Sequence, residues 1–100
     1  MSIDQSPRRV AVTVVHSPAC HFCEDATQVL SSLGSVFAID VSVVEIDSEV
    51  GAALVATHRP AMNPLVLVDG DYFSSGRLPR KKLERLLQVR GVAHGVAAGR

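Results

Sequence analysis

Cys20 and Cys23 are the only cysteines in this chain of 100 residues, and two residues separate them in SPACHFCEDA, residues 17–26. Thiols at that spacing hold a metal, lock a loop, or exchange disulfides with another molecule. The thiolate is the reactive form, so the surroundings of the pair decide its chemistry. His16 and His21 lie beside the pair and can tune a thiolate. They can also join the sulfurs as ligands of zinc or an iron–sulfur cluster. Structural zinc takes four ligands, and a single C-x-x-C with scattered histidines supplies half of a site. His58 and His94 have no pattern around them and are expected at the surface.

The elements that would position these thiols can be read from periodicity and punctuation. Residues 10–15 (VAVTVV) are β-branched and nearly continuous, as expected of a strand covered on both faces. Pro18 ends that run. From Cys20 the pattern turns helical, with Phe22, Ala26, Val29, Leu30 and Leu33 at three- and four-residue spacing and Gly34 as a stop. A second strand is expected over 41–46. Ser48 is placed to cap a helix reaching about Thr57, with Val50, Leu54 and Val55 on its inner side. Residues 65–68 (LVLV) form a short buried strand, Asp69-Gly70 a hairpin turn, and residues 72–74 a fourth strand. Leu78-Pro79 opens a last helix whose inner face is Leu83, Leu86 and Leu87. The tail, 91–100, is rich in small residues and expected to fray.

The order is therefore β-α-β-α-β-β-α. Strand, helix, strand at the start implies a parallel right-handed crossover, and the Asp69-Gly70 hairpin adds an antiparallel pair. An α/β fold with one mixed four-stranded sheet and three flanking helices satisfies both. Cys20 then sits at the opening of the first helix, where unsatisfied N–H groups and the positive end of the dipole favour a thiolate. Cysteines so placed have pKa values lowered to about 3.5–7.5. Cys20, nearest the helix start, is expected to attack. Cys23, one turn in and covered, is expected to resolve.

Composition limits the other possibilities. The chain is 47% hydrophobic and 20% charged with formal net charge zero, which suits one globular domain and points to neither nucleic acid nor an anionic membrane. No stretch has the apolar length of a membrane span, and the N-terminus lacks the apolar core of a secretory signal. A cytoplasmic address follows as the expectation, and there two close cysteines are catalytic or metal-binding more often than a static disulfide.

The C-x-x-C between a strand and a helix, together with Met62-Asn63-Pro64-Leu65-Val66-Leu67-Val68-Asp69-Gly70, resembles the thioredoxin-fold superfamily, and within it the glutaredoxin-like redoxins. The resemblance runs through roughly residues 10–87. It implies a thioredoxin-like fold in which Pro64 opens the third strand in cis and faces the cysteines, with the backbone of Asn63 pairing with bound substrate. Some glutaredoxins share a cluster between two chains, so the resemblance leaves the metal reading open as the alternative. Departures narrow the likeness. Where glutaredoxins usually carry a basic residue three before the first cysteine, this chain has Ser17. Where they carry a Gly-Gly pair and an acid that hold glutathione, it has Ser74-Ser75-Gly76 and Arg77. Ser75-Gly76-Arg77-Leu78-Pro79 is closer to the Ser-Gly-x-x-Pro stretch of the redoxins that reduce ribonucleotide reductase, which draw electrons from thioredoxin reductase.

These readings combine into one expectation: a glutaredoxin-like thiol–disulfide oxidoreductase domain at 10–90 between flexible segments at 1–9 and 91–100. Cys20 is the nucleophile and Cys23 the resolving residue. Asn63, Pro64, Ser75, Gly76 and Arg77 contact substrate, and His21 and His16 are candidates for tuning the thiolate. Neither a metal nor a tightly bound organic cofactor is expected, since the Cys20–Cys23 dithiol carries the electrons. An external thiol or an NADPH-linked reductase supplies them, with the thioredoxin-reductase type favoured over glutathione. The substrate is a disulfide-containing protein or small molecule, and the chain is expected to be a monomer without nucleic-acid or membrane partners. Arg59 is a candidate for binding a substrate carboxylate. Arg80, Lys81, Lys82, Arg85 and Arg90 make the last helix basic, either as a solvated face or as a docking patch for an acidic partner.

Overall fold

The β-branched run forms strand β1 (Val10–His16), and a computed structural model, which describes residues 9–90, makes this strand a hub of the sheet. The remaining elements are α1 (His21–Gly34), β2 (Ile39–Glu45), α2 (Glu49–His58), β3 (Leu65–Val68), β4 (Asp71–Ser75) and α3 (Arg80–Arg90). The strand order is β2-β1-β3-β4. β1 runs parallel to β2 and antiparallel to β3, and β3 runs antiparallel to β4. This is the expected mixed four-stranded sheet with three helices, a thioredoxin-like fold. No helix of the described residues is long and apolar enough to cross a membrane.

Two clusters of side chains hold the layers together. On one face Val10, Val12 and Val14 of β1 and Val66 and Val68 of β3 pack with Ala26, Leu30 and Leu33 of α1 and Leu83 and Leu87 of α3. On the other, Val15, Leu65 and Leu67 pack with Ile46 and with Leu54 and Val55 of α2. Each fully buried leucine or valine contributes about 1.5–3 kcal/mol. The second cluster lies at the end of the sheet from which the cysteine loop leaves, because Val15 pairs with Leu65. β1 is therefore not covered along both faces as expected: Ala11 is exposed and Thr13 half-buried, since α2 reaches only the Val15 end.

The turns follow their residue types. Asp69 (φ 52°) and Gly70 (φ 86°) both take positive φ, as a two-residue hairpin turn matched to strand twist requires. Asp69 also bonds back to β1, its N–H donating to Ala11 O at 2.7 Å and its Oδ1 accepting from Ala11 N at 2.9 Å. α2 ends on Arg59 in the left-handed conformation, φ 48°. The last helix begins at Arg80 rather than Leu78, with the Pro79 carbonyl accepting from Leu83 N at 3.1 Å.

Three expectations about packing need correction. β2 starts at Ile39 and ends at Glu45, not at 41 and 46, because parallel pairing sets Ile39 opposite Val10. Val50 is 59% exposed; Gly51, not Val50, is the buried residue of α2. A Cβ on Gly51 would stand 2.0 Å from the Glu45 carbonyl oxygen, so the helix comes against β2 through a position without a side chain. His58, expected at the surface, is half-buried with its ring centroid 6.4 Å from that of Tyr72. His94 and the tail lie outside the described residues. Arg9, the first described residue, donates to Asp40 Oδ1 at 2.8 Å and to Ile39 O at 3.1 Å.

Candidate redox site

The first turn of α1 builds the site. Cys20 is the N-cap, in extended conformation, and its sulfur accepts the Cys23 N–H at 3.1 Å. A cap normally offers an oxygen to one of the four unpaired N–H groups of a first turn, and here a sulfur takes that place. Cys23 is fully buried, Cys20 only partly. The two are joined as a disulfide with a Cα separation of 5.2 Å. Ala19, immediately before, is held at φ 55°, a left-handed conformation that costs an L-residue about 1–2 kcal/mol. The turn 17–20 is thus bent sharply to bring Cys20 onto the helix end, and strain of this kind collects at functional sites.

The second half of the site comes from β3 and β4. The Asn63–Pro64 bond is cis, in line with what the family resemblance implies, and Pro64 is fully buried at the entrance to β3. Leu65 pairs with Val15 of β1, so the start of β3 lies beside the end of β1, where the cysteine loop departs. Gly76 donates its N–H to Pro64 O at 3.0 Å. It has φ 83°, and a Cβ there would meet Met62 Cβ and Sδ at 3.3 Å. Ser75 pairs with Leu65 and accepts from Tyr72 Oη at 3.1 Å. Asn63, Pro64, Ser75 and Gly76 are therefore drawn together. Arg77 follows as an exposed residue beside Leu78, Pro79 and Arg80.

The two histidines part company. His16 Nδ1 lies 3.2 Å from Glu45 Oε1, across the β1–β2 pairing, which makes an ion pair when the ring is protonated. His21 is the exposed first residue of α1 and lines a shallow depression with Glu24, Asp25 and Gln28. Among the described residues no group of three or more His, Cys, Asp or Glu is placed to hold a metal ion. The basic helix is partly tied down: Arg80 bonds Glu84 and Ser32, Lys82 Nζ lies 5.3 Å above the Phe73 ring, and Arg90 pairs with Asp69. Arg59 is exposed as the cap of α2.

Ala19 bends the approach to Cys20, Met62 stands where a Cβ on Gly76 would go, and Tyr72 bonds Ser75; none of the three is among the site candidates read from the sequence. An alanine with positive φ has no signal in composition. The Met62 contact is visible only once Gly76 is seen to be tightly approached. Glu24, directly after Cys23, is legible as a first-turn acid that suits the helix dipole, and with Asp25 it brings negative charge beside the cysteine pair. No known family model matches the chain, and no curated protein matches it. The fold and the Cys20–Cys23 disulfide are together compatible with redox function.

Proposed function

We propose that this chain is a glutaredoxin-like thiol–disulfide oxidoreductase in which Cys20 attacks and Cys23 resolves. The observation that carries the reading is the asymmetry inside one disulfide: Cys20 is partly accessible and takes an N–H on its sulfur, while Cys23 is buried. In the reduced protein the Cys20 thiolate displaces one sulfur of a substrate disulfide, which leaves as a thiolate and takes up a proton. Cys23, deprotonated, then attacks Cys20 Sγ, frees the second substrate thiol and closes the Cys20–Cys23 disulfide. Two electrons pass to the substrate, and a reductant must return them. An extended substrate segment would lie along Asn63 beside Pro64, with Ser75 and Gly76 closing that side. No organic cofactor takes part in these steps.

The test is trapping. Cys23→Ser should accumulate mixed disulfides with substrates, because attack succeeds and resolution fails. Cys20→Ser should trap nothing and turn over no disulfide. Trapping by the Cys20 variant alone would reverse the two roles; a wild-type protein that reduces no disulfide would remove the reading.

The reductant is proposed on charge. Glutathione carries an ammonium group and two carboxylates, and a dedicated site needs an acid for the ammonium. The matched position here is the exposed cation Arg77, which repels an ammonium at close range, although solvent and salt weaken the effect. A reductase of the thioredoxin-reductase type should therefore recycle this protein better than glutathione does. Parallel assays of NADPH oxidation decide it, and efficient turnover with glutathione and its reductase alone would make the chain an ordinary glutaredoxin. Dithiols of this spacing cover roughly −270 to −120 mV, so a measured potential would separate a reductant from an oxidant.

A further inference from the structure

β2 is an edge strand of the sheet, and its outward backbone groups are unevenly used. Ala38 O accepts from Val10 N at 3.1 Å, and Ile46 N donates to His16 O at 2.7 Å. In a parallel ladder the direction of the peptide groups alternates by residue. The even-numbered residues 38–46 therefore face β1, and Ile39, Val41, Val43 and Glu45 face away from it. At each end of the outer edge a carbonyl is taken, and at Ile39 the N–H as well. Ile39 N donates to Phe37 O at 3.0 Å and Ile39 O accepts from Arg9 at 3.1 Å. Glu45 O accepts from Ser48 N at 3.0 Å and from Ser48 Oγ at 2.6 Å. Between them, the outward N–H and C=O groups of Val41 and Val43 have no partner among the described residues. The same two residues expose their side chains, at 41% and 51%. β2 has no lysine, proline or bulge to blunt its edge.

We propose that β2 pairs antiparallel with β2 of a second copy of this chain, about a twofold axis at Ser42. In that register Val41 stands opposite the partner's Val43, and Val43 opposite the partner's Val41. Directly opposed outward residues of an antiparallel pair exchange both N–H···O bonds, so the two pairs satisfy all four outward N–H groups of Val41 and Val43. The exposed valines meet as β-branched cross-strand pairs on one face. Other registers do worse. An axis at Val41 sets Val43 against Ile39, whose N–H and C=O are already bonded. An axis between residues opposes outward groups to inward ones and puts the valines on opposite faces. The occupied ends keep the contact short and closed. The pairing uses no group of the redox site, and it replaces the monomer expected from the sequence with a weak dimer.

Sedimentation equilibrium of the full chain from about 10 µM to 1 mM tests it. A contact of two residue pairs belongs with the weak, transient interfaces below about 1,200 Å², and the expected dissociation constant is on the order of 0.1–1 mM. The mass should rise from 10.6 kDa toward twice that value. Val41→Lys with Val43→Lys opposes like charges twice and should weaken the dimer by about tenfold. Val41→Lys with Val43→Glu opposes lysine to glutamate only in this register, and should stay within about threefold of wild type. Both are exposed edge positions, and circular dichroism checks that each variant is folded. A mass that stays monomeric to 1 mM, a dilysine variant that still pairs, a charge-matched variant as weak as the dilysine one, or growth past the dimer would each overturn the proposal. Disulfide reduction should proceed alike in all the variants, so this result and the redox result stand apart.

Discussion

At the start of α1 the Cys20 sulfur accepts the Cys23 N–H at 3.1 Å, and at the start of α2 the Ser48 hydroxyl accepts the Gly51 N–H at 3.0 Å. Both helices follow a strand of the parallel pair, both are capped by the side chain just before the first helical residue, and in both the third helical residue is buried. At α2 the two positions serve structure: Ser48 Oγ also donates to Glu45 O, and Gly51 lets the helix reach the Glu45 carbonyl. At α1 both positions are cysteines, so the same local geometry holds two sulfurs side by side at the positive end of a helix. A strand-to-helix junction supplies the scaffold, and the residue types at the cap and three residues later decide whether it carries chemistry.

The strongest break of the comparison is Cys20→Ser. Serine is among the best caps, so α1 should keep its first turn while the proposed nucleophile disappears. Disulfide reduction should be abolished, and stability should stay within about 0.5 kcal/mol of the reduced wild type in urea titrations. A large loss of stability would mean that the sulfur has a packing role beyond the cap. Next comes Gly51→Ala, at the buried position of α2. The added methyl meets backbone rather than a flexible side chain, and overpacking of that kind should destabilise by about 3 kcal/mol. Ser48→Ala is smaller, about 1 kcal/mol, the usual cost of losing a serine cap. Neither α2 change should alter the order in which Cys20 and Cys23 react, which trapping in a Cys23→Ser background would check.

How much of this was legible in sequence follows the same division. The run at 10–15, the LVLV of β3, the Asp69-Gly70 turn and the leucines of α3 each carry local signals strong enough to place them. Cys20 at the cap and Cys23 one turn later could be read from spacing together with Pro18 and the helical period that follows. The failures are positions where tertiary contact overrides local pattern. The bounds of β2 are set by its register with β1, which β-propensity does not encode. Val50 looked like an inner residue because it is apolar, yet the inner line of α2 is Gly51, Leu54 and Val55, and a glycine scores as no contact at all. The unpaired outer edge of Val41 and Val43 is a fact of strand order, invisible until β2 is known to be at the border. Ser74 is similar: its buried hydroxyl has no hydrogen-bond partner among the described residues, and no local pattern marks it as buried.

The smallest expected effect separates the two junctions once more. Ala19 precedes Cys20 with φ 55°, while Ser48, the corresponding cap of α2, is reached without any residue of positive φ between 46 and 48. The left-handed conformation costs alanine about 1–2 kcal/mol, and glycine adopts it freely. Ala19→Gly removes that cost and adds the extra chain entropy that glycine loses on folding, about 0.5–1 kcal/mol. The balance favours the variant, which should be more stable than wild type by about 0.5 kcal/mol when both are reduced. If the bend at Ala19 serves to hold Cys20 at the helix end, the glycine variant, with a more mobile approach to the cap, should also be alkylated at Cys20 with a changed rate. Equal stability and equal alkylation rates would show that the positive φ at Ala19 neither costs stability nor positions the thiol, and the contrast between the two helix starts would then rest on the cysteines alone.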